Sequence, residues 1–180
     1  MKNIVLAAAS AAAVALMAAP ASAQSLALQP TTFYGTLGYA HVDLDDANFE
    51  AASARLGARF GQYLGLEAEG AIGVDGSKGV IGATPFSAKL DHSVAAYAMA
   101  YAPLTPKFDL IVRGGYGTSQ VNVKGAGVTV SEDGDSWNYG VGGQYFFNPA
   151  NGLRGEYTRH DFTNNGGAVD VWSISYVRKF

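Results

Sequence analysis

Between Ser136 and Phe147 the side chains alternate with a period of two. One set is Trp137, Tyr139, Val141, Gly143, Tyr145 and Phe147; the other is Ser136, Asn138, Gly140, Gly142 and Gln144, broken only by Phe146. Side chains along a strand point to opposite faces, so this strand has one greasy face and one small or polar face. The pattern returns at least six times in pieces of about ten residues. No segment carries a helical apolar stripe that could cover such a face. Strands of about 9–11 residues are the length that crosses a tilted path through a bilayer. The chain therefore reads as a membrane barrel, lipid outside and polar side chains inside.

Eight strands are predicted, over 33–42, 52–60, 64–74, 89–102, 107–119, 135–147, 152–161 and 169–180. The connections alternate in length. Gly61-Gln62-Tyr63, Pro103-Leu104-Thr105-Pro106 and Asn148-Pro149-Ala150-Asn151 are tight. Asp43 to Ala51, Asp75 to Ala88, Gln120 to Gly134 and Phe162 to Ala168 are longer. Short turns on one rim and long loops on the other mark an outer-membrane barrel, with the short turns periplasmic. The expected fold is all-β: an eight-stranded antiparallel up-and-down transmembrane β-barrel preceded by a cleavable signal peptide.

That peptide is read from the N-terminus. Met1-Lys2-Asn3 is a basic start, Ile4 to Ala19 an alanine-rich apolar run, and Ala21-Ser22-Ala23 a small-residue cleavage signature. Residues 1–23 are assigned to the signal peptide, cleaved after Ala23 following Sec export, and 24–180 to the barrel. There are no cysteines, which excludes disulfide staples, thiolate chemistry and a lipoprotein anchor. No basic stripe is present, so nucleic acid is not an expected partner.

The alternation also sorts the charges. In the second strand Ala54, Leu56, Ala58 and Phe60 share one face, and Ser53, Arg55, Gly57 and Arg59 the other. In the third, Leu64, Leu66, Ala68, Gly70, Ile72 and Val74 oppose Gly65, Glu67, Glu69, Ala71 and Gly73. An Arg facing lipid at the midplane costs about 2–4 kcal/mol, so these charges are expected to face inward and pair. Counting back from Gln62 places Arg55 near Glu69 and Arg59 near Glu67. Asp109 and Arg113 in the fifth strand, and Arg154 and Glu156 in the seventh, complete the expected interior network. A pore lining and a polar filling are both compatible with such charges; eight strands leave room for little beyond side chains, which favours the filling.

Aromatics gather at strand ends. Phe60, Tyr101, Phe108, Phe147 and Phe180 fall near the short-turn rim, and Tyr116, Trp137 and Trp172 near the long-loop rim, as two interface girdles would. The fourth strand breaks the pattern: Lys89, Asp91 and Ser93 share parity with Tyr97, Met99 and Tyr101. A bulge between Ser93 and Tyr97 would turn the charges inward and the aromatics outward.

With these features in view, the chain resembles the small outer-membrane barrels of Gram-negative bacteria, the outer-membrane protein A transmembrane-domain family and its porin-like or opacity-type relatives. Tyr34-Gly35-Thr36-Leu37-Gly38-Tyr39 resembles their first strand. Trp172 to Phe180 resembles their terminal strand, with Ile174, Tyr176 and Phe180 as the signal that the barrel assembly machinery reads. The resemblance implies outer-membrane lipid and lipopolysaccharide as the surroundings, and long loops that could meet an extracellular ligand the sequence does not name.

Catalysis and metal chemistry find little support. Some barrels of this kind modify lipid A, which requires an activated serine or histidine with a base in reach. His41, His92 and His160 do not reproduce a His-x-Ser pattern, so no catalytic residue is assigned. The acids of the long loops lack EF-hand spacing, and no metal or cofactor is expected. A structural or surface-interaction role is the favoured reading. A narrow channel for small solutes comes next, and a lipid A-modifying enzyme or a soluble lipocalin-like carrier after it.

Overall fold

The computed structural model describes residues 30–44, 47–75, 77–81, 84–125, 128–163 and 167–180. The proposed signal peptide lies outside the described residues. In chain order the strands are β1 (Thr31–Leu44), β2 (Ala47–Phe60), β3 (Leu64–Asp75), β4 (Ser77–Ile81), β5 (Thr84–Thr105), β6 (Phe108–Gly125), β7 (Val128–Phe146), β8 (Asn151–Phe162) and β9 (Ala168–Lys179). Each pairs antiparallel with its neighbours in the order β3-β2-β1-β9-β8-β7-β6-β5-β4, and a β3–β5 pairing closes the ring. β4 takes over from β3 as the partner of β5 beyond Asp75, so the barrel has eight staves.

Two ladders place the termini. Thr31 stands opposite Phe60, and Tyr34 opposite Lys179, so both ends of the barrel domain share the rim of the short turns. Those turns are built by their own chemistry. Gly61 takes φ 64°, a conformation that glycine adopts without strain. Thr105 Oγ1 accepts from the amides of Lys107 and Phe108 at 3.2 and 3.0 Å. Asn148 Oδ1 accepts from the amides of Ala150 and Asn151 at 3.0 and 2.9 Å, an Asx-type turn before Pro149.

At the other rim the expected long loops are mostly hairpin. β5 runs for 22 residues, β6 for 18 and β7 for 19, well beyond what a bilayer requires. The polar and glycine-rich composition of 75–88 and 120–134 reads as loop, but ladder pairing carries it as strand.

Facing follows the alternation. Leu56 is 71% exposed and Trp137 60%, and the other outward positions are similarly apolar, whereas Ser53, Arg55, Glu67, Asn138 and Gln144 are buried. A closed sheet that exposes its apolar side chains and buries its charged ones is inside out for water and correct for hydrocarbon.

β5 departs from expectation. The register shifts lie between Leu90 and His92 and between Pro103 and Thr105; none falls between Ser93 and Tyr97. Ala95, Tyr97, Met99 and Tyr101 therefore point inward, and Val94, Ala96 and Ala98 outward. Tyr101, expected at the membrane interface, is 1% exposed within the barrel. The reason is volume. Gly65 and Gly115, on the strands flanking β5, leave space on the inner face that large side chains fill.

Tyr34 shows the same complementarity. Its ring lies over Gly57, directly across the β1–β2 ladder, and a Cβ at Gly57 would sit 2.2 Å from Tyr34 Cζ. The Tyr34 hydroxyl is held by Glu67 and Tyr101, so the ring has nowhere to retreat. Gly57→Ala is expected to cost about 1–3 kcal/mol through overpacking. Urea unfolding in lipid vesicles reads this as a lowered midpoint. Gly155→Ala, where nothing lies within 4 Å of the added carbon, is the control and should shift by less than about 0.5 kcal/mol.

Candidate functional site

Inward parity on β2, β3, β6 and β8 carries Arg55, Arg59, Glu67, Glu69, Asp109, Arg113, Arg154 and Glu156 to the barrel axis. Register does the rest. Arg55 stands opposite Glu69 across the β2–β3 ladder, and its guanidinium donates to Glu69 and, across the lumen, to Glu156. Arg113 Nη1 reaches Glu69 at 3.1 Å and Glu67 at 3.5 Å. Arg154 Nη1 donates to Glu67 at 2.6 Å. Three guanidinium groups and three carboxylates thus form one cluster drawn from four strands.

Arg59 differs from expectation. It stands opposite Gly65, and Glu67 stands opposite Gly57, so Arg59 and Glu67 are not cross-strand partners. The register is symmetric about Gln62, which sets Arg59 against Gly65 and leaves Glu67 one inward position further along β3. Arg59 Nη1 instead donates to Asp109 at 2.7 Å. Gln144 Nε2 also donates to Asp109, at 2.7 Å, and Gln144 Oε1 accepts from Arg154 at 3.0 and 3.2 Å. Gln144 thereby ties the Arg59–Asp109 pair to the central cluster.

Neutral side chains complete it. Tyr34 donates to Glu67 at 2.8 Å, and its hydroxyl lies 2.8 Å from that of Tyr101. Asn138 donates to the Tyr97 hydroxyl at 3.2 Å, and Arg113 Nε to Thr158 Oγ1 at 3.1 Å. The Arg113 and Arg59 guanidinium groups lie 4.1 and 4.3 Å from the ring centroids of Tyr97 and Tyr101. Four arginines face four carboxylates, so the layer carries no net formal charge. That balance is what allows ionised groups to stay away from water.

Gln144 was visible as the polar face of 136–147, but its role needs the fold. The interior tyrosines were hidden because an aromatic in a barrel strand reads equally well as a lipid contact.

The remaining aromatics with an interface expectation fall outside the lumen. Trp137, Phe147, Trp172, Tyr116 and Phe180 are exposed, and Phe60 and Phe108 are half-exposed. Tyr116 meets Trp137 edge-on with ring centroids 5.1 Å apart, and Trp172 packs on Tyr157 at 4.8 Å. Ile174, Tyr176 and Phe180 share the outer face of the terminal strand. The Phe180 amide donates to Phe33 O at 2.9 Å, closing the β9–β1 seam at the short-turn rim.

The histidines are dispersed. His41 Nδ1 lies 2.7 Å from Glu50, and His92 Nδ1 3.1 Å from Asp91, both partly solvated. Among the described residues no group of three or more His, Cys, Asp or Glu is placed to hold a metal ion.

Comparison with known proteins follows the same line. Ail, the attachment invasion locus protein of Yersinia pestis, superposes with a TM-score of 0.59 at 17% identity, covering 83% of this chain and 97% of Ail. That structure was determined in complex with the heparin analogue sucrose octasulfate. Neisserial surface protein A superposes with a TM-score of 0.62 at 13% identity, covering 83% and 97%. The N-terminal beta-barrel domain of Pseudomonas aeruginosa OprF gives 0.57 at 9% identity, covering 80% and 96%. At these identities the likeness is one of fold. No curated protein matches the sequence. The family described as the outer membrane protein beta-barrel domain matches residues 9–180, and this chain belongs to it.

Proposed function

We propose that the protein is a non-catalytic surface protein of the bacterial outer membrane whose barrel is an anchor and whose lumen is closed by paired charges. In this reading the signal peptide directs Sec export and is removed after Ala23. The terminal strand, with Ile174, Tyr176 and Phe180 on its outer face, is presented to the barrel assembly machinery. The exposed aromatics meet outer-membrane lipid and lipopolysaccharide at the two interfaces, and the long hairpins face outward from the cell.

One observation carries the closed lumen. Arg55, Arg113 and Arg154 bond to carboxylates on strands across the barrel, including Arg55 to Glu156. An ion entering this layer would have to displace a bonded partner from a group held away from water, where an unpaired charge is costly. Planar bilayer recordings with the purified protein test it. The expected result is no steady conductance; a stable open level in every insertion would turn the assignment to a narrow channel.

The charge of the long-hairpin end bears on ligand class. Of the 15 acids, all but Glu67, Glu69, Asp109 and Glu156 lie in or beside the long connections, where Lys78, Lys89, Lys124 and Arg159 are the only bases. The short-turn rim instead carries Lys107, Arg178 and Lys179, with Asp109 just inside it and paired to Arg59. An end this acidic repels sulfated polyanions, so the heparin-like ligand of the Ail complex is not expected here.

A further inference from the structure

The two basic residues that end β9 face opposite ways. Lys179 turns inward, and its ammonium lies 3.5 Å from the ring centroid of Phe146. Arg178 turns outward and is exposed. Its row on that face is otherwise apolar or aromatic, with Trp172, Ile174 and Tyr176 before it and Phe180 after it. Asp109, the acid nearest this end of the barrel, is taken by Arg59. Among the described residues no carboxylate pairs with the Arg178 guanidinium. A charge on a lipid-facing row is costly unless it reaches the headgroup region and bonds there.

Register places Arg178 at that depth. It stands opposite Asn151, the last residue of a tight turn, on one side and Gly35 on the other. The Asn151 amide group is committed within the protein, to Asn148 and to the Tyr176 hydroxyl. Gly35 offers no side chain, and a Cβ there would meet nothing closer than 3.6 Å, so the flank beside Arg178 is open. Phe33 and Phe180, 61% and 76% exposed, stand on the rim side of this opening. The result is a guanidinium with its donors unused, framed by aromatic rings at the membrane–water boundary.

We propose that Arg178 binds the phosphodiester of an anionic glycerophospholipid, of the phosphatidylglycerol class, in the leaflet at the short-turn rim. The planar fork of donors matches two phosphate oxygens. The rim selects the class: Lys107 and Arg178 are exposed, and no exposed acid stands there to receive the ammonium of a zwitterionic headgroup. The acyl chains lie along Leu37 and Ile174, both exposed on the adjoining strands. A free phosphate would leave that apolar row and the aromatic frame unused. The site goes beyond general lipid contact by assigning one residue and one headgroup. It rests on the preceding section only for the side of the membrane on which the rim lies.

The full barrel is placed in nanodiscs of equal parts phosphatidylglycerol and phosphatidylethanolamine, and native mass spectrometry counts the lipids retained on release. Phosphatidylglycerol is expected to be retained over phosphatidylethanolamine by about fivefold, the worth of one basic side chain at an anionic surface. Arg178→Gln should abolish the preference, Arg178→Lys should keep part of it, and Lys107→Gln, on the same rim, should leave most of it. Boiling-dependent migration on gels verifies that each variant is folded. If Arg178→Gln does not fold, Gly35→Leu carries the test, because it fills the open flank without removing the charge and should lower the preference. Equal retention of the two lipids overturns the proposal, as does an unchanged preference in Arg178→Gln or, in its place, Gly35→Leu. An equal loss in Lys107→Gln reduces the site to diffuse rim charge and overturns it too. Displacement of the lipid by inorganic phosphate assigns the group to a soluble anion and overturns the lipid. Orientation is read separately: Gln62→Cys, in a chain without native cysteines, should react with an impermeant maleimide only after the outer membrane is permeabilised. Labelling on intact cells would sink the orientation of the preceding section and leave the lipid preference in nanodiscs intact.

Discussion

Replacing Arg154 by methionine is expected to destabilise the barrel by about 3–5 kcal/mol, the cost of leaving a buried carboxylate without its partner. Arg154 is 1% exposed and is bonded to Glu67 and twice to Gln144. Methionine fills most of the volume but leaves the layer with an excess negative charge. The second substitution in Arg154→Met/Glu67→Gln removes that excess, so the double variant should recover a large part of the loss. Unfolding midpoints in lipid vesicles, with boiling-dependent migration on detergent gels as a parallel readout, measure both. Arg159→Met is the contrast. Arg159 also pairs with an acid, Asp170 at 3.0 Å, but both side chains are substantially exposed. That change should cost no more than about 1 kcal/mol. Equal losses for Arg154→Met and Arg159→Met would remove the distinction between the lumen and the surface.

The second large effect tests the outer surface. Leu56 stands opposite Gly35 and Ala68 near mid-strand and is among the most exposed apolar side chains. Leu56→Arg should cost about 2–4 kcal/mol if hydrocarbon surrounds this position, whereas in water it would cost almost nothing. Tyr63→Arg, on the tight turn at the rim, should cost only about 0–1 kcal/mol. The depth dependence is the informative part. A flat response across both positions would mean that the exposed apolar side chains do not face lipid.

Much of this architecture could be read before any coordinates. Strand parity in 53–60 and 64–74 placed Arg55, Glu67 and Glu69 on the inner face because a mid-strand charge has no other tolerable side. Loop parity placed the three tight turns on one rim. What escaped came from two sources. The partner of Arg59 is Asp109 on β6, which a count along the β2–β3 hairpin does not reach. Tyr101 depended on a bulge that the strand does not make and on the room that Gly65 and Gly115 leave on the inner face. The extended hairpins escaped because glycine and polar residues in 75–88 and 120–134 resemble loop; only neighbouring strands make them sheet. The site shared these limits: its charged members were legible one by one, but Gln144, Tyr34 and Tyr97 joined it through geometry alone.

The sequence distances within the interior layer bear on how the molecule is made. Arg55 finds Glu156 at a separation of 101 residues, and Arg154 finds Glu67 at 87. A partly inserted array of hairpins would therefore hold Glu67, Arg154 and Glu156 without their bonded partners across the lumen, a state that hydrocarbon tolerates poorly. Formal charge already cancels within the β2–β3 hairpin, within β6 and within β8, but the bonds of Arg55 to Glu156 and Arg154 to Glu67 form only as β2 and β3 meet β8. Biogenesis that inserts and shuts the cylinder in a single concerted event avoids that state, and one that threads hairpins into the lipid singly does not.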